Sequence, residues 1–293
     1  MSSVRLLRTF IAVASEGSFA AAAQRVALTQ AAVGQQMRAL EGELKRPLFE
    51  RDGKTVQLNQ AGRELLPQAR QMVELYSQMQ TGGLAGGAMA GTLHLGAVVS
   101  ALRPLLLSTL ALKRRYPALD LHVGAAKSGD LVARVAAGEL DAAIAVHHPG
   151  EERTRSDLVW TLLYTEPMVL LAHRKMAGDD VRSLVQSQPF IRFDRSEHTG
   201  QLVDRTLRRL RATPQEFLEL NAIETMVELV RAGLGVALLP QLRASRWGSD
   251  PKLRLLPIDA AEEARQVMLV QPRTSAKASL IGAVAEAFAR HVK

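Results

Sequence analysis

A glycine-rich segment divides this chain and limits the folds that it can adopt. Five glycines fall within residues 81–91, a run of small residues with almost no polar side chains. Such runs form flexible joints rather than parts of a packed core. The segment lacks the spacings of a nucleotide-binding loop and precedes a predicted strand instead of following one. We therefore predict a domain boundary here, with a short helical region before it and a larger region after it.

Composition narrows the class of protein. The 293 residues are 47% hydrophobic and carry a formal net charge of +8, enough apolar material for two or three folded units. Residues 1–90 hold ten basic and seven acidic residues, so the excess charge is spread out and a DNA site must be a local patch. The absence of cysteine excludes disulfides, thiolate metal sites and a cysteine nucleophile, and it favours the cytoplasm.

The first residues have two readings. An apolar segment at residues 10–14 follows two arginines, as in a secretion signal. Glu16 ends that segment early, and Leu6, Phe10 and Val13 recur at helical spacing. We predict a core helix rather than a secretion signal, and no stretch is long enough to span a bilayer.

Two short helices joined by a tight turn are predicted next. Alanine-rich residues 19–26 favour a first helix, residues 27–28 break it, and Thr29 can cap a second helix. The apolar stripe of that second helix consists of Val33, Met37, Leu40 and Leu44. Its other face carries Ala31, Gln35 and Arg38. These are the parts of a helix-turn-helix, with the second helix presented to DNA.

A hairpin and a long helix follow. Predicted strands at residues 48–51 and 55–58 flank Asp52-Gly53-Lys54, a good turn because glycine accepts positive φ. Asn59 can cap the helix, and Pro67 should kink or loosen it. Its heptad-like seam consists of Leu65, Ala69, Met72, Tyr76 and Met79. This seam packs on its own domain or pairs with a second copy of the chain, and its length favours dimerisation.

Strand and helix patterns alternate from Thr92 onwards. The first set predicts strands at residues 92–98, 119–125 and 141–146, and helices at residues 103–115 and 129–137. A long segment then leads to a second set, with strands at residues 189–193, 217–220 and 236–239, and helices near residues 201–211 and 223–232. Residues 264–270 cross back to a closing helix near residues 276–291. The alternation predicts two α/β lobes with parallel, doubly wound sheets.

Several ordered motifs run through the chain. The N-terminal ones include Gly17-Ser18-Phe19, Leu28-Thr29-Gln30-Ala31-Ala32-Val33 and Pro47-Leu48-Phe49-Glu50-Arg51. The later ones include Tyr116-Pro117, Gly138-Glu139-Leu140-Asp141 and Gly233-Leu234-Gly235-Val236. With these motifs the chain resembles the LysR-type transcriptional regulators over essentially its whole length.

The resemblance implies a fold that is α/β overall. Residues 1–59 would form an all-α winged helix-turn-helix, and residues 60–91 a dimerising linker helix with a glycine-rich hinge. Residues 92–293 would form a two-lobed, periplasmic-binding-protein-like effector domain. Lobe I would take about residues 92–161 and 267–293, and lobe II about residues 162–266.

The resemblance also implies a function. The protein would be a cytoplasmic regulator whose promoter binding and DNA bending respond to a small, anionic effector held between the lobes. Its partners would be double-stranded promoter DNA, the effector, further copies of itself as a homodimer or a dimer of dimers, and RNA polymerase. We expect no catalytic site, metal, cofactor or membrane contact.

The expected DNA-binding residues are Thr29, Gln30, Ala31, Gly34, Gln35, Arg38, Arg51 and Lys54. Three of them depart from the family pattern, in which Pro is common at the place of Ala31, Ser at Gly34 and Arg at Gln35. Glutamine favours adenine where arginine favours guanine, and glycine adds no side chain, so a different operator is expected. Lys45-Arg46 replaces a more usual glycine-containing turn. Taken singly, Gln30, Gln35 and Arg38 are more typical of a solvated helix face. Taken with the turn, the predicted wing and the family motifs, they favour DNA contact.

Ligands of open α/β sheets bind beyond the carboxyl ends of the strands, where paired lobes face a shared cleft. The expected effector-binding residues there are Ser100, Ser128, His147, Phe193, Thr199 and Thr225. The hydroxyl residues could instead be plain helix caps, and Phe193 an ordinary core residue. A metal at His147-His148 is disfavoured because neighbouring strand residues face opposite ways.

Two other functions fit the sequence less well. An enzyme would need a motif such as a G-x-S-x-G elbow, H-E-x-x-H or a phosphate loop, and the chain has none of these. A solute-binding protein for transport would leave the N-terminal third of the chain unexplained.

Overall fold

The computed structural model describes residues 3–52, 55–80, 90–243, 245–258 and 264–292. The N-terminal unit contains four helices and one hairpin: α1 (Ser3–Glu16), α2 (Phe19–Arg25), α3 (Gln30–Leu44), β1 (Phe49–Asp52), β2 (Thr55–Leu58) and α4 (Gln60–Gln80). Leu6, Phe10 and Val13 of α1 are buried in its core, which confirms the predicted core helix. The glycine-rich hinge predicted at residues 81–91 lies mostly outside the described residues.

Helix α3 is held by its inner face. Val33, Met37 and Leu40 are buried as predicted, whereas Leu44 is 38% exposed because it is the last residue of the helix. Beyond it Lys45 takes the left-handed conformation with φ of +52°, in the turn where the resemblance led us to expect glycine. A non-glycine residue pays a steric cost there, of about 1–2 kcal/mol.

The first lobe of the C-terminal region alternates strands and helices. Its elements are β3 (Gly91–Ala97), α5 (Val99–Arg115), β4 (Leu119–Ala125), α6 (Ser128–Ala136), β5 (Ala142–Val146), α7 (Glu151–Thr154) and β6 (Leu158–Glu166). Pro167 follows β6, and the chain then enters the second lobe.

The second lobe adds elements that the sequence patterns did not predict, such as a short helix before residue 188. Its elements are β7 (Met168–His173), α8 (Val181–Ser187), β8 (Pro189–Phe193), α9 (His198–Leu210), β9 (Gln215–Leu220), α10 (Ile223–Arg231), β10 (Ala237–Pro240), a 3-10 turn at Trp247–Ser249 and β11 (Leu253–Pro257). The chain returns to lobe I through β12 (Arg265–Pro272) and ends in α11 (Ala278–His291).

The lobe I sheet is mixed rather than wholly parallel. Its strand order is β4-β3-β5-β12-β6. Strands β3, β4 and β5 are parallel, as predicted, but β12 runs antiparallel to both β5 and β6 because it enters from the opposite lobe. Strands β6 and β12 pair from Leu158 to Glu166, so both lie wholly in this sheet. The passages between the lobes therefore fall at the Pro167 end of β6 and the Arg265 end of β12.

Lobe II contains two smaller sheets. Strands β10, β7 and β11 form an antiparallel sheet, and β8 and β9 form a parallel pair. A parallel bridge between Phe190 and Val236 joins β8 to the start of β10. Within the described parts of the chain, no helix is both long enough and apolar enough to cross a membrane.

Candidate DNA interface and interlobe cleft

The start of α3 presents a capped, solvent-facing surface. The Thr29 hydroxyl accepts a hydrogen bond from the Ala32 amide at 3.2 Å, as the sequence predicted. The exposed residues of this surface are Thr29, Gln30, Ala31, Gln35 and Arg38. Gly34 is half-buried, and a Cβ built on it meets no atom within 4 Å. The first two turns of α3 therefore carry a short polar surface with open space at its middle.

A second set of contacts fixes the orientation of α3. Gln36 is buried, and its Oε1 accepts a hydrogen bond from the Thr9 hydroxyl at 2.6 Å. Glu41 accepts from the Leu48 amide at 2.8 Å, which ties the helix to the start of the hairpin. Because these two hydrogen bonds add to the buried apolar stripe, the outer face of α3 is held in one orientation.

The base of the β1–β2 hairpin packs against helices α1 and α2. The Phe49 ring lies edge-on to Phe10 and Phe19, at centroid distances of 5.7 and 5.9 Å. The amide of Val56 donates to the Gly17 carbonyl at 3.1 Å. Arg51 stands in β1 opposite Val56, whereas Lys54 lies outside the described residues.

Helix α4 begins as predicted and extends beyond the packed core of the N-terminal unit. Asn59 Oδ1 accepts from the Gly62 amide at 2.8 Å, and the helix runs on through Pro67. Of the predicted seam, Leu65 and Ala69 are buried against the N-terminal unit. Met72 and Met79 are 51% and 76% exposed. Packing on its own domain therefore holds for the first half of the seam, and the second half is left uncovered.

Three of the predicted effector-binding residues lie on lobe I. Ser128 is buried, and its Oγ accepts from the Val146 amide at 3.1 Å. His147 is the next residue after Val146. Its Nε2 lies 2.6 Å from Glu152 Oε1, and its ring is edge-on to Trp160. Ser100 lies in the first turn of α5, where its Oγ accepts from Arg265 Nη2 at 2.6 Å. Ser128 and His147 are thus brought together at the end of β5, and Ser100 lies beside the end of β3.

The other three predicted residues lie on lobe II. Phe193 is buried in the lobe II core, and Thr199 is buried at the start of α9. Thr225 is exposed in the first turn of α10, and no described contact connects it to the others. Gly200 explains how α9 approaches the loop after β8, because a Cβ there would lie 1.9 Å from the Asp194 carbonyl oxygen.

Polar contacts cross from one lobe to the other beside these residues. The Nδ1–H group of His198 donates to the Val146 carbonyl at 3.0 Å, and His148 Nε2 lies 2.8 Å from Gln201 Oε1. The rings of His148 and His198 are 5.0 Å apart. His198 precedes Thr199 in the chain, and Val146 precedes His147 and donates to Ser128. The contact between His198 and Val146 therefore brings Thr199 towards Ser128 and His147.

An ion pair fastens the same edge. Lys127 Nζ lies 3.3 Å from Asp194 Oδ2 and 3.0 Å from Glu197 Oε1. A hydrogen bond to Glu197 raises the pKa of Lys127, while hydrogen bonds from Ser196 and then Lys127 hold the pKa of Asp194 below its ordinary value. Both shifts favour the charged forms of Lys127 and Asp194. The sequence patterns did not single out Lys127, His198 or Gln201.

A cavity of about 760 Å³ lies elsewhere, between α4 and lobe I. Arg70 Nη1 donates across it to the Ala137 carbonyl at 3.1 Å, and burial lowers the pKa of Arg70. Basic Arg25, Arg70 and Lys277 face acidic Glu139 and Asp141 on its walls. Because basic and acidic side chains face each other across this cavity, we interpret the cavity as a contact between domains rather than as the effector site.

A winged helix-turn-helix joined to a two-lobed α/β domain defines a regulator that contacts DNA with one part and a small ligand with the other. Residues 4–63 match the family model described as bacterial regulatory helix-turn-helix protein, lysR family. Residues 86–293 match the model described as LysR substrate binding domain. The chain belongs to the LysR family, and it is a DNA-binding transcriptional regulator with an effector-binding domain.

Relatives and solved structures agree with this assignment. The chain is 30% identical to the HTH-type transcriptional regulator YnfL of Escherichia coli over 288 residues, which cover 92% of each chain. It is 28% identical to the transcriptional activator IlvY of Salmonella typhimurium, over 89% of this chain and 90% of that one. A full-length OxyR variant from Pseudomonas aeruginosa shares the fold, with a TM-score of 0.73 at 24% identity over 98% of this chain and 95% of that one. The names of the relatives are those of regulators, which confirms the expectation of a regulator rather than an enzyme.

Proposed function

We propose that the first two turns of α3 enter the DNA major groove and read base edges with Gln30 and Gln35. The observation that carries this proposal is the capped, firmly held outer surface at the start of α3. Glutamine makes paired hydrogen bonds to adenine, so A·T pairs are expected at the positions facing these residues. Thr29, Ala31 and Gly34 would allow close approach of the helix to the groove.

The remaining DNA contacts would go to the backbone. Arg38 lies on the same face of α3 one turn later, and Arg51 and Lys54 belong to the hairpin. Arginine and lysine contacts with phosphate position a protein on the duplex without reading sequence. Since Gly34 offers no side chain, such contacts would supply a larger share of the affinity than base readout does.

We further propose that the effector binds between the lobes, among Ser100, Ser128, His147 and Thr199, with Phe193 and Thr225 at the margins of the site. Residues 1–59 would bind DNA, residues 60–91 would link and dimerise, and residues 92–293 would bind the effector. The hydroxyl groups and the helix starts there suit an anion. An effector that favours one angle between the lobes would shift the packing of subunits and hence the placement of the DNA-binding units.

Self-association completes this proposal. A dimer of dimers needs two different self-contacts, and the chain offers two separate apolar surfaces. One is the outer half of α4, and the other is the exposed leucine face of α5, formed by Leu106, Leu107 and Leu110. The protein would act in the cytoplasm, where its promoter DNA and RNA polymerase are present.

The test is binding of the purified chain to a fluorescent fragment of the DNA upstream of its own gene, with nonspecific competitor and at several salt concentrations. We expect binding that survives competition and weakens with salt. Gln35→Ala should cost about 1–3 kcal/mol of specific binding and relax sequence preference, with nonspecific binding unchanged.

Gln186→Ala is the matched control, because Gln186 is exposed on α8, far along the chain from the helix-turn-helix. It should bind DNA as the unchanged chain does. Equal losses in the two variants, or binding by the unchanged chain that is blind to sequence, would contradict the proposed role of α3.

A further inference from the structure

A buried ion pair joins β6 and β12 at the ends from which the chain passes between the lobes. Glu166 is the last residue of β6, and Arg265, the first residue of β12, stands directly opposite it. Arg265 Nε lies 2.9 Å from Glu166 Oε2, and both side chains are only 3% exposed. The pair therefore occupies the point at which the chain passes from one lobe to the other.

Each member of the pair has a second partner, and the two partners belong to different lobes. Arg265 Nη2 donates to Ser100 Oγ at 2.6 Å, in the first turn of α5 in lobe I. Glu166 Oε1 accepts from the Arg243 amide at 3.0 Å, in the segment that follows β10 in lobe II. A continuous chain of hydrogen bonds thus runs from a cleft residue of one lobe to the backbone of the other.

The pair is buried beside one aromatic ring, that of Tyr164. Burial and then the charge of Glu166 raise the pKa of the neighbouring Tyr164. The Arg243 guanidinium lies 5.9 Å from the centre of the Tyr164 ring. A buried ion pair seldom adds net stability, because desolvation offsets the attraction between the charges. The pair instead fixes the positions of its partners, because the rigid guanidinium of Arg265 can hold two acceptors at fixed angles.

We propose that Arg265 and Glu166 are positioning residues that transmit a change at Ser100 to lobe II through the Arg243 amide. This inference rests on the proposed function, because Ser100 is part of the proposed effector site. The Ser100 oxygen accepts from Arg265, so its own proton is free for an acceptor in the cleft. Donation to that acceptor would strengthen the bond from Arg265, because linked hydrogen bonds polarise one another.

The experiment is a double-mutant cycle read by hydrogen exchange of the Arg243 amide in the full chain. Ser100→Ala is made in the native background and in a Glu166→Met, Arg265→Met background. The second background removes both charges together, so neither is left buried without a partner. We expect Ser100→Ala to speed exchange several-fold in the native background and to have no effect in the methionine background.

Arg265→Lys gives a second route that keeps the charge next to Glu166. A single ammonium group cannot reproduce the forked geometry, so this variant should lose the link to Ser100 and respond to Ser100→Ala as weakly as the methionine background does. It also keeps the cycle informative if the methionine variant fails to unfold in one cooperative transition.

Ser108→Ala is the matched control, since Ser108 is a buried serine of the same helix whose hydroxyl donates to the Pro104 carbonyl. It should leave Arg243 exchange unchanged. Equal acceleration by Ser100→Ala in all backgrounds, or none in the native one, would overturn the inference. Specific DNA binding by the unchanged chain is measured separately, so failure of the proposed function is distinguishable from failure of this coupling.

Discussion

The two halves of α4 carry the same apolar pattern and meet different surroundings. In the first half, Leu65, Leu66 and Ala69 are buried with α1 in the core of the N-terminal unit. In the second half, Met72, Leu75 and Met79 are about half exposed or more. Periodicity therefore identifies a face of a helix but does not say what covers it.

Length explains the difference. A helix of 21 residues extends for about 31 Å, further than a domain of some 60 residues can cover on one side. The first turns pack in the core of the N-terminal unit, and the last turns are exposed, as the proposed dimer requires. This separation can be tested because each half contains apolar side chains that can be altered independently.

The largest effect is expected in the buried half. Leu65→Ala leaves a cavity in the core and should lower the free energy of unfolding by about 2–5 kcal/mol. Urea denaturation at low protein concentration measures this. Leu75→Ala is the matched control in the exposed half and should cost much less, so equal losses would show that the two halves do not differ.

A smaller effect on folding but a clear effect on assembly is expected in the exposed half. Met72→Lys combined with Met79→Lys places like charges on a self-associating face and should weaken the dimer at least tenfold, with thermal unfolding of the N-terminal unit nearly unchanged. Analytical ultracentrifugation measures the dissociation. Met72→Lys alone and Gln71→Lys each add one positive charge, inside and outside the seam, and an equal loss of association in these two single variants would argue against a seam-mediated dimer.

The smallest effect is expected where the middle of α4 touches lobe I. Gly138 has φ of +68°, and a Cβ there would lie 3.5 Å from Arg70 Cδ and 3.6 Å from Pro67 Cα. Gly138→Ala should cost about 1–2 kcal/mol through backbone strain, measured by urea denaturation. Gly129→Ala, with open space at its Cβ and no positive φ, is the control. A harmless Gly138→Ala would mean that this turn relaxes freely.

The sequence predicted the features that depend on neighbours in the chain. The caps at Thr29 and Asn59 each act on an amide three residues away. The strands of the hairpin and β4 and β8 follow from local composition and alternation. His147 and His148 contact different partners, Glu152 and Gln201, but both lie beyond the end of β5, so strand alternation does not account for their directions.

The contacts between the lobes, and those at the passages between them, could not be predicted in this way because they join distant segments. Lys127 and Asp194 are 67 residues apart in the chain, and Arg265 and Glu166 are 99 residues apart. No local pattern marks such pairs. The same limit applies to Ser128, whose hydroxyl position in the cleft was expected but whose bond to the Val146 amide depends on how α6 packs on β5.

Gly34 also has a consequence for how this regulator could change its targets. The space above it is open, and its neighbours in α3 are held in place by a buried inner face. Replacing it with a small polar residue would add a hydrogen-bonding group towards the DNA without moving the helix, and would make the helix itself more favourable. In the proposed complex with DNA, one substitution at Gly34 would therefore alter operator preference without a cost to the fold that has to be compensated elsewhere.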